Sequence, residues 1–168
     1  MKFIGIISDD KYIKSKLIEH LNTKNNIYNI VNINEKNINT FKDLNFETIV
    51  INDVNSQLSN EKLNHILDNS KYVITSSENK SIDKINNNNI ITYGLNFEAD
   101  VTVSSIKEDR IMVYMQKDVK NIYDKIEEPH EFILNFKDKI EPNKLEESLA
   151  IATVMEIYHK KIDKIWKN

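Results

Sequence analysis

Apolar and polar residues follow two periods along this chain, and the first half switches regularly between them. Runs of consecutive or alternating apolar residues predict strands at residues 2–7, 27–33, 47–52, 72–75 and 90–93. Helical spacing predicts helices at 10–21, over a short segment at 35–44, and from Ser56 or Ser59 to residue 69. Because strands and helices alternate, we expect a mostly parallel, Rossmann-like sheet with helices on both faces.

The second half of the chain has a different pattern. Residues 100–106 and 110–116 alternate and are joined by a charged turn, which predicts a hairpin, and 130–136 is expected to pair beside it. From Pro142 to about residue 165 the spacing predicts one long helix. No linker rich in glycine, proline or serine interrupts the chain. We therefore expect residues 1–168 to form one α/β domain, in which a small antiparallel β segment and a long C-terminal helix follow the parallel sheet.

Composition excludes several classes of function. The chain has no cysteine, so disulfides, thiolate metal sites and cysteine catalysis are ruled out. A net charge of −3 provides no general attraction to nucleic acid or to an anionic membrane. Without a bilayer-spanning apolar run or a signal peptide, the expected location is the cytoplasm. Arg110 is the only arginine, so bidentate arginine clamps on phosphate are nearly absent.

The turn after the first predicted strand carries the most informative residues. In a nucleotide-binding α/β domain, glycines at this turn let backbone N–H groups wrap a phosphate. Here the turn contains Asp9 and Asp10, and the chain has only two glycines, Gly5 and Gly94. Carboxylates repel phosphate, so no nucleotide and no other cofactor is expected here.

Two segments in the second half of the chain have distinctive sequences. The first reads Ile90-Ile91-Thr92-Tyr93-Gly94-Leu95-Asn96, then Ala99-Asp100-Val101-Thr102-Val103-Ser104-Ser105-Ile106. The second is the long helix, with Asn143 and Leu149-Ala150-Ile151-Ala152-Thr153-Val154. Both resemble the central domain of the Mur ligase superfamily, the ATP-dependent amide-bond-forming enzymes of peptidoglycan synthesis. The first, which is the stronger match, is similar to the family passage "(I/V)TYG…AD(V/I)xAxxI", which leads into antiparallel strands, and the second is similar to the family helix "HNxxNxxAAxAVA".

The chain departs from this family at the phosphate-binding loop. Residues 4–6 match the start of the family loop "IGITGTNGKT", but Ser-Asp-Asp-Lys stands at 8–11 where glycines and Lys-Thr are needed. Lys11 lies one residue too early, Tyr12 occupies the place of the magnesium-holding hydroxyl, and no histidine precedes Asn143. The resemblance implies a ligase scaffold without its ATP site. It therefore implies a protein without catalytic activity, which binds or regulates an unidentified protein partner in bacterial cell-envelope or spore-wall metabolism.

A receiver-like signalling domain is the alternative. An acidic pair, Asp9 and Asp10, after the first strand and Asp53 at the end of a later strand is the pattern of a phosphoacceptor domain that holds Mg²⁺. Thr75 or Ser76 would be its hydroxyl partner, but its lysine is missing from the end of the fifth strand. A simpler interpretation is that Asp9 or Asp10 caps the first helix. The candidate ligand or cation residues are Asp9, Asp10 and Asp53, and no catalytic residue or confident metal site is predicted.

Two further expectations concern the histidines and the assembly. The four histidines have no metal-ligand spacing, and the acidic stretch at 127–131 around His130 is expected to be a solvated loop. The C-terminal helix has apolar residues on two faces, whereas docking on a sheet requires only one. We expect a homodimer through this helix with Trp166 near the contact. The alternative is that the antiparallel strands cover the second face. The two faces consist of Leu145, Leu149, Ala152, Met155, Tyr158 and Ile162, and of Ile151, Val154 and Ile157.

Overall fold

Eight strands form one sheet in the computed structural model, which describes residues 1–22, 28–52 and 60–159. Two more strands within these ranges form a separate small sheet. In chain order the strands are β1 (Lys2–Ile7), β2 (Tyr28–Asn32), β3 (Thr48–Ile51), β4 (Tyr72–Ser76), β5 (Ile90–Tyr93), β6 (Val101–Ile106), β7 (Arg110–Met115), β8 (Val119–Lys120), β9 (Ile126–Glu127) and β10 (His130–Asn135). The helices are α1 (Tyr12–Leu21), α2 (Ile38–Phe41), α3 (Asn60–Asp68) and α4 (Leu145–Tyr158), with 3-10 turns at Ile82–Lys84 and Pro142–Lys144.

The order across the main sheet is β2-β1-β3-β4-β5-β6-β7-β10. The first six of these are parallel, whereas β7 runs antiparallel to β6 and β10 runs antiparallel to β7. The predicted α/β architecture is confirmed, including the antiparallel segment and the long C-terminal helix. The small β8–β9 sheet was not predicted, because a strand of two residues has no recognisable period.

Helices cover both faces of the sheet, and each face has its own core. On one face α1 and α4 pack against the strands, with residues such as Leu17 and Ile151 fully buried. On the other face α2 and α3 pack around residues such as Phe46 and Ile66. All four residues of β3 are buried, because a central strand that is covered on both faces needs apolar or hydrogen-bonded side chains at every position.

Helix α4 is buried around almost its whole circumference. Ten of its 14 residues are buried, including Ile151, Val154 and Ile157, whose face was expected to need a partner. The segment after β7 closes over its C-terminal end, where the Ile122 N–H donates to the Ile157 carbonyl at 3.1 Å. The face from which the dimer was inferred is therefore internal, as in the alternative. Trp166 lies outside the described residues, and the homodimer itself stays a prediction.

The half-buried imidazole of His20 gives the fold a pH dependence. The ring packs edge-on against Phe136 at 5.6 Å, and its Nε2 atom has no hydrogen-bond partner among the described residues. Burial lowers the pKa of His20 below its ordinary value of 6.5, although the nearby Glu19 charge opposes this. The unfolded chain therefore binds a proton at a pH where the folded protein does not. The stability contributed by the neutral ring is present above the unfolded pKa and is lost as the pH falls below it.

We expect the free energy of unfolding to decrease from about pH 7 to about pH 5, and His20→Gln to weaken this dependence. Urea unfolding at a series of pH values measures the slope. The control is His65→Gln, which removes a solvent-exposed histidine of α3 and should leave the slope unchanged. Equal slopes for all three proteins would show that His20 does not cause the pH dependence.

Candidate functional site

Open parallel sheets bind ligands at the carboxyl ends of their strands, where successive helices leave on opposite faces. Here that point lies between β1 and β3, because α1 packs on one face of the sheet and α2 and α3 pack on the other. The turn at residues 8–11 follows β1, and Asn52 follows β3. The turn that sequence analysis singled out therefore stands at the position that the topology favours for a site.

Asp10 joins two distant parts of the chain at this turn. Its Oδ1 atom accepts the N–H of Tyr12, the first residue of α1, at 2.9 Å. Its Oδ2 atom accepts a hydrogen bond from Lys144 Nζ, which comes from the 3-10 turn before α4. The Lys144 ammonium also lies 5.5 Å from the centre of the Tyr12 ring. The N-cap of α1 is Lys11, which makes no side-chain cap bond, so the predicted aspartate cap is wrong in position. Asp10 instead binds the N–H of the first helical residue from just before the cap.

The hydrogen bonds set the charge of this pair. Burial disfavours the ionised carboxylate of Asp10, but the hydrogen bonds from Lys144 and from the Tyr12 N–H outweigh it and hold the pKa of Asp10 below its usual value. The hydrogen bond with Asp10 in turn raises the pKa of Lys144. Both groups are therefore charged near neutral pH. The Asp10 carboxylate therefore already binds both the Tyr12 N–H and the Lys144 ammonium.

Further carboxylates lie in the first turn of α4 and just after β4. Burial raises the pKa of Glu146, and the negative charges of Glu78 and Glu147 raise it further. Glu147 also lies 3.7 Å from Lys144 Nζ. We call Asp10, Glu78, Lys144, Glu146 and Glu147 the acidic edge cluster. With four carboxylates and one lysine, this cluster disfavours a phosphate group.

Polar side chains at the ends of β3, β4 and β5 form two hydrogen-bonded pairs. The Tyr93 hydroxyl donates to Asn52 Oδ1 at 2.7 Å, and Thr75 Oγ1 accepts from Asn79 Nδ2 at 2.9 Å. Burial, and then the charges of the two α4 glutamates, raise the pKa of Tyr93 and keep its phenol protonated. Thr75, the hydroxyl considered for a phosphoacceptor site, is fully buried and already has a partner.

The Thr92-Tyr93-Gly94 passage connects β5 to β6. Asp100 Oδ2 accepts from both the N–H and the hydroxyl of Thr92, at 2.8 and 3.1 Å, and the Asp100 N–H donates back to the Thr92 hydroxyl at 2.9 Å. A Cβ atom at Gly94 would lie 2.2 Å from Ser77 Oγ, so a larger residue would displace this hydroxyl, which accepts a hydrogen bond from Asn96 Nδ2. The side chains of this passage hold the connection together rather than facing a ligand.

A cleft of about 250 Å³ lies beside β5, away from the acidic edge cluster. The charged groups Asp100 and Lys117 in its wall are paired with each other at 3.0 Å. Ligand sites usually have volumes of about 300–1,000 Å³, so this cleft is small for one. The acidic edge cluster is the better candidate site.

The structure brings together only part of the predicted site. Asp9 and Asp10 share the turn after β1, whereas Asp53 lies outside the described residues, so their predicted convergence stays a prediction. Within residues 1–22, 28–52 and 60–159, no three carboxylate or histidine side chains are grouped as a metal ion would require. Four members of the acidic edge cluster, Glu78, Lys144, Glu146 and Glu147, were not predicted from the sequence. The available signal was the Pro142 start of the last helix, because a helix crossing a parallel sheet begins at the carboxyl edge.

The acidic stretch around His130 is not a solvated loop, which corrects the expectation from sequence. Glu127 is buried and accepts from Asn121 Nδ2 at 2.7 Å. The His130 ring lies 2.7 Å from Glu156 Oε1 of α4 through Nε2, and 2.6 Å from the Glu128 carbonyl through Nδ1. This segment therefore attaches β10 to α4.

Comparison with known proteins adds no relative to this picture. The sequence matches no protein-family model and is not significantly similar to any curated protein. In the part of the chain that the structure describes, no helix combines the length and the apolar character needed to cross a membrane.

Proposed function

We propose that this chain is a non-catalytic, Mur-ligase-like protein that acts in the cytoplasm by binding a protein partner in bacterial cell-envelope or spore-wall metabolism. The observation that carries the proposal is the Asp10–Lys144 pair at the start of α1. In a nucleotide-binding domain of this kind, a phosphate would occupy that position.

Electrostatics oppose a nucleotide at this turn. The Tyr12 N–H, which would donate to a phosphate, already donates to Asp10 at 2.9 Å. A triphosphate would have to displace the Asp10 carboxylate and then lie beside the remaining acidic groups, Glu146 and Glu147. Charge repulsion and the loss of the Asp10–Lys144 ion pair both oppose this exchange.

The order of elements around the family-like passage supports the scaffold part of the proposal. The resemblance implies a passage that follows the nucleotide-binding core and leads into antiparallel strands. Residues 90–93 form β5, the connection at Gly94 follows, and β6 pairs parallel with β5 on one side and antiparallel with β7 on the other. We take this agreement as support for a ligase-like scaffold whose remaining function is binding.

Titration calorimetry with Mg-ATP tests the loss of the nucleotide site. We expect no binding heat for the protein, because its phosphate position is filled by its own ion pair. Lys144→Gln should also show no binding, since removing the lysine leaves the carboxylates unpaired and repulsive. Binding of Mg-ATP in the micromolar range by the unmodified chain would overturn the proposal.

Co-purification from the native cells tests the partner. We expect the tagged chain to retain an enzyme or scaffold protein of peptidoglycan or spore-wall synthesis above the level retained by an unrelated tagged protein. Recovery of a histidine kinase instead would favour the alternative function.

That alternative is a receiver-like or pseudo-receiver domain, and two observations favour it. The strand order β2-β1-β3-β4-β5 is that of flavodoxin-like doubly wound sheets, to which receiver domains belong. In addition, Lys144 brings a lysine to the acidic turn, although from the start of α4 rather than from the end of β5. Asp53 would be the phosphoacceptor, and Asp9 and Asp10 the Mg²⁺ ligands.

Incubation with a small phosphodonor and Mg²⁺, followed by intact-mass measurement, separates the two functions. The binding proposal predicts no adduct. A phosphoryl adduct that is lost in Asp53→Asn but kept in Asp43→Asn, which changes an exposed aspartate elsewhere, would establish the receiver-like function.

A further inference from the structure

Strand β10 ends the main sheet on one side, and no described residue pairs with its outer edge. The Phe136 N–H, directly after the strand, donates to the Asp109 carbonyl at 2.7 Å. Because hydrogen-bonded and non-hydrogen-bonded pairs alternate in an antiparallel ladder, every second residue counted back from Phe136 bonds to β7. The residues between them direct their backbone N–H and C=O groups toward the open edge. These residues are Glu131, Ile133 and Asn135.

The same three residues place their side chains on the outer face of the sheet. Ile133 is 50% exposed, whereas its neighbours Phe132 and Leu134 pack against the core under α4. Beside it on β7, Tyr114 is also exposed. β10 therefore offers unpaired backbone groups and an apolar side chain along one edge. Natural edge strands usually contain lysine or proline residues, which prevent such pairing with another strand. Neither residue occurs within His130–Asn135.

We propose that β10 pairs antiparallel with β10 of a second copy of this chain, with the two-fold axis at Ile133, so that two eight-stranded sheets become one. In this register Ile133 lies opposite Ile133 of the other copy. Glu131 lies opposite Asn135, so that a carboxylate faces an amide that can donate to it. The edge is thus complementary to itself, as an isologous dimer requires.

The registers centred on the other two outward-facing residues of β10 are worse. Centring the axis on Glu131 would place two carboxylates opposite each other and would set Ile133 opposite Pro129, which has no N–H to donate. Centring it on Asn135 would set Ile133 opposite the charged Lys137. The proposal moves the predicted homodimer from the C-terminal helix to β10, and it is independent of the proposed function.

Sedimentation equilibrium over a wide concentration range tests the dimer. We expect the mass to rise with concentration from the chain mass of 19.7 kDa toward twice that value, because an edge contact buries less area than an obligate interface. Ile133→Lys places two like charges opposite each other and should weaken the dimer about tenfold or more. Ile106→Lys is the matched control, since Ile106 is 51% exposed but lies on β6, away from the edge.

Cysteine cross-linking tests the register without relying on the charged variant. The chain has no cysteine, so Ile133→Cys introduces its only thiol. In a hydrogen-bonded antiparallel pair the Cα atoms lie about 5.5 Å apart, within the range of about 4.4–6.8 Å for disulfides. We expect oxidation to link Ile133→Cys into a covalent dimer and to leave Ile106→Cys mostly monomeric.

Three results would overturn the proposal. One is a mass of 19.7 kDa at every concentration. Another is a dimer that Ile133→Lys does not weaken while circular dichroism shows it to be folded. The third is equal cross-linking of the two cysteine variants, and this decides the matter if Ile133→Lys fails to fold.

Discussion

Gly5→Ala is expected to lower the free energy of unfolding by about 2 kcal/mol, although it adds only one methyl group. Gly5 lies in β1, which pairs with β2 on one side and β3 on the other. A Cβ atom there would lie 2.5 Å from Ile49 Cδ1, 2.7 Å from Ile33 Cδ1 and 3.1 Å from Phe46 Cε1. All three side chains are almost completely buried, so they cannot move aside without disturbing the core.

A double-mutant cycle gives this prediction its control. Ile49→Val removes the Cδ1 atom that the new methyl group would meet, and alone it should cost about 1 kcal/mol. The double variant of Gly5→Ala and Ile49→Val should lose about 1 kcal/mol less than the sum of the losses of the two single variants. Ile66→Val shortens a fully buried isoleucine of the same core away from Gly5, and it should add to Gly5→Ala without coupling. Urea unfolding of the unmodified chain, the three single variants and the two double variants measures both couplings, and equal coupling for both valine variants would contradict the steric explanation.

Ile151→Ala is expected to lower the free energy of unfolding by about 3 kcal/mol, through lost burial and the cavity left behind. Ile151 is fully buried in the core that contains α1 and α4, on the face of α4 that the sequence pattern predicted to need a second copy. The control is Ile18→Ala on α1, where the side chain is 41% exposed and the loss should be much smaller.

Urea unfolding at low protein concentration, where association is negligible, compares the two variants. An Ile151→Ala loss no larger than that of Ile18→Ala would mean that this face of α4 lies outside the core, and it would restore the helix as a dimer contact. A large loss for Ile151→Ala together with a concentration-dependent mass for the unmodified chain would leave β10 as the contact.

The sequence by itself determined the elements and their class. Residues 48–51 are apolar or β-branched throughout, and this run predicts a strand covered on both faces. Alternation at 101–106 and 110–115 predicts the hairpin of β6 and β7. These patterns involve residues close together in the chain, and their period indicates which faces of each segment are buried. The two aspartates after β1 likewise marked the turn at the switch point before any contact was known.

Only the tertiary structure decided what meets that turn and what covers each apolar face. Asp10 and Lys144 are 134 positions apart, and no local period indicates that they form an ion pair. The spacing of apolar residues in α4 predicts two apolar faces but not what covers them. The segment around Ile122 closes over the second face at the C-terminal end of the helix, and its position depends on the connection after β7. The hydrogen-bonding phase of β10, which leaves Ile133 at the open edge, likewise follows from its pairing with β7. Sequence patterns record whether a side chain is buried, whereas sheet order and register determine which distant residue buries it.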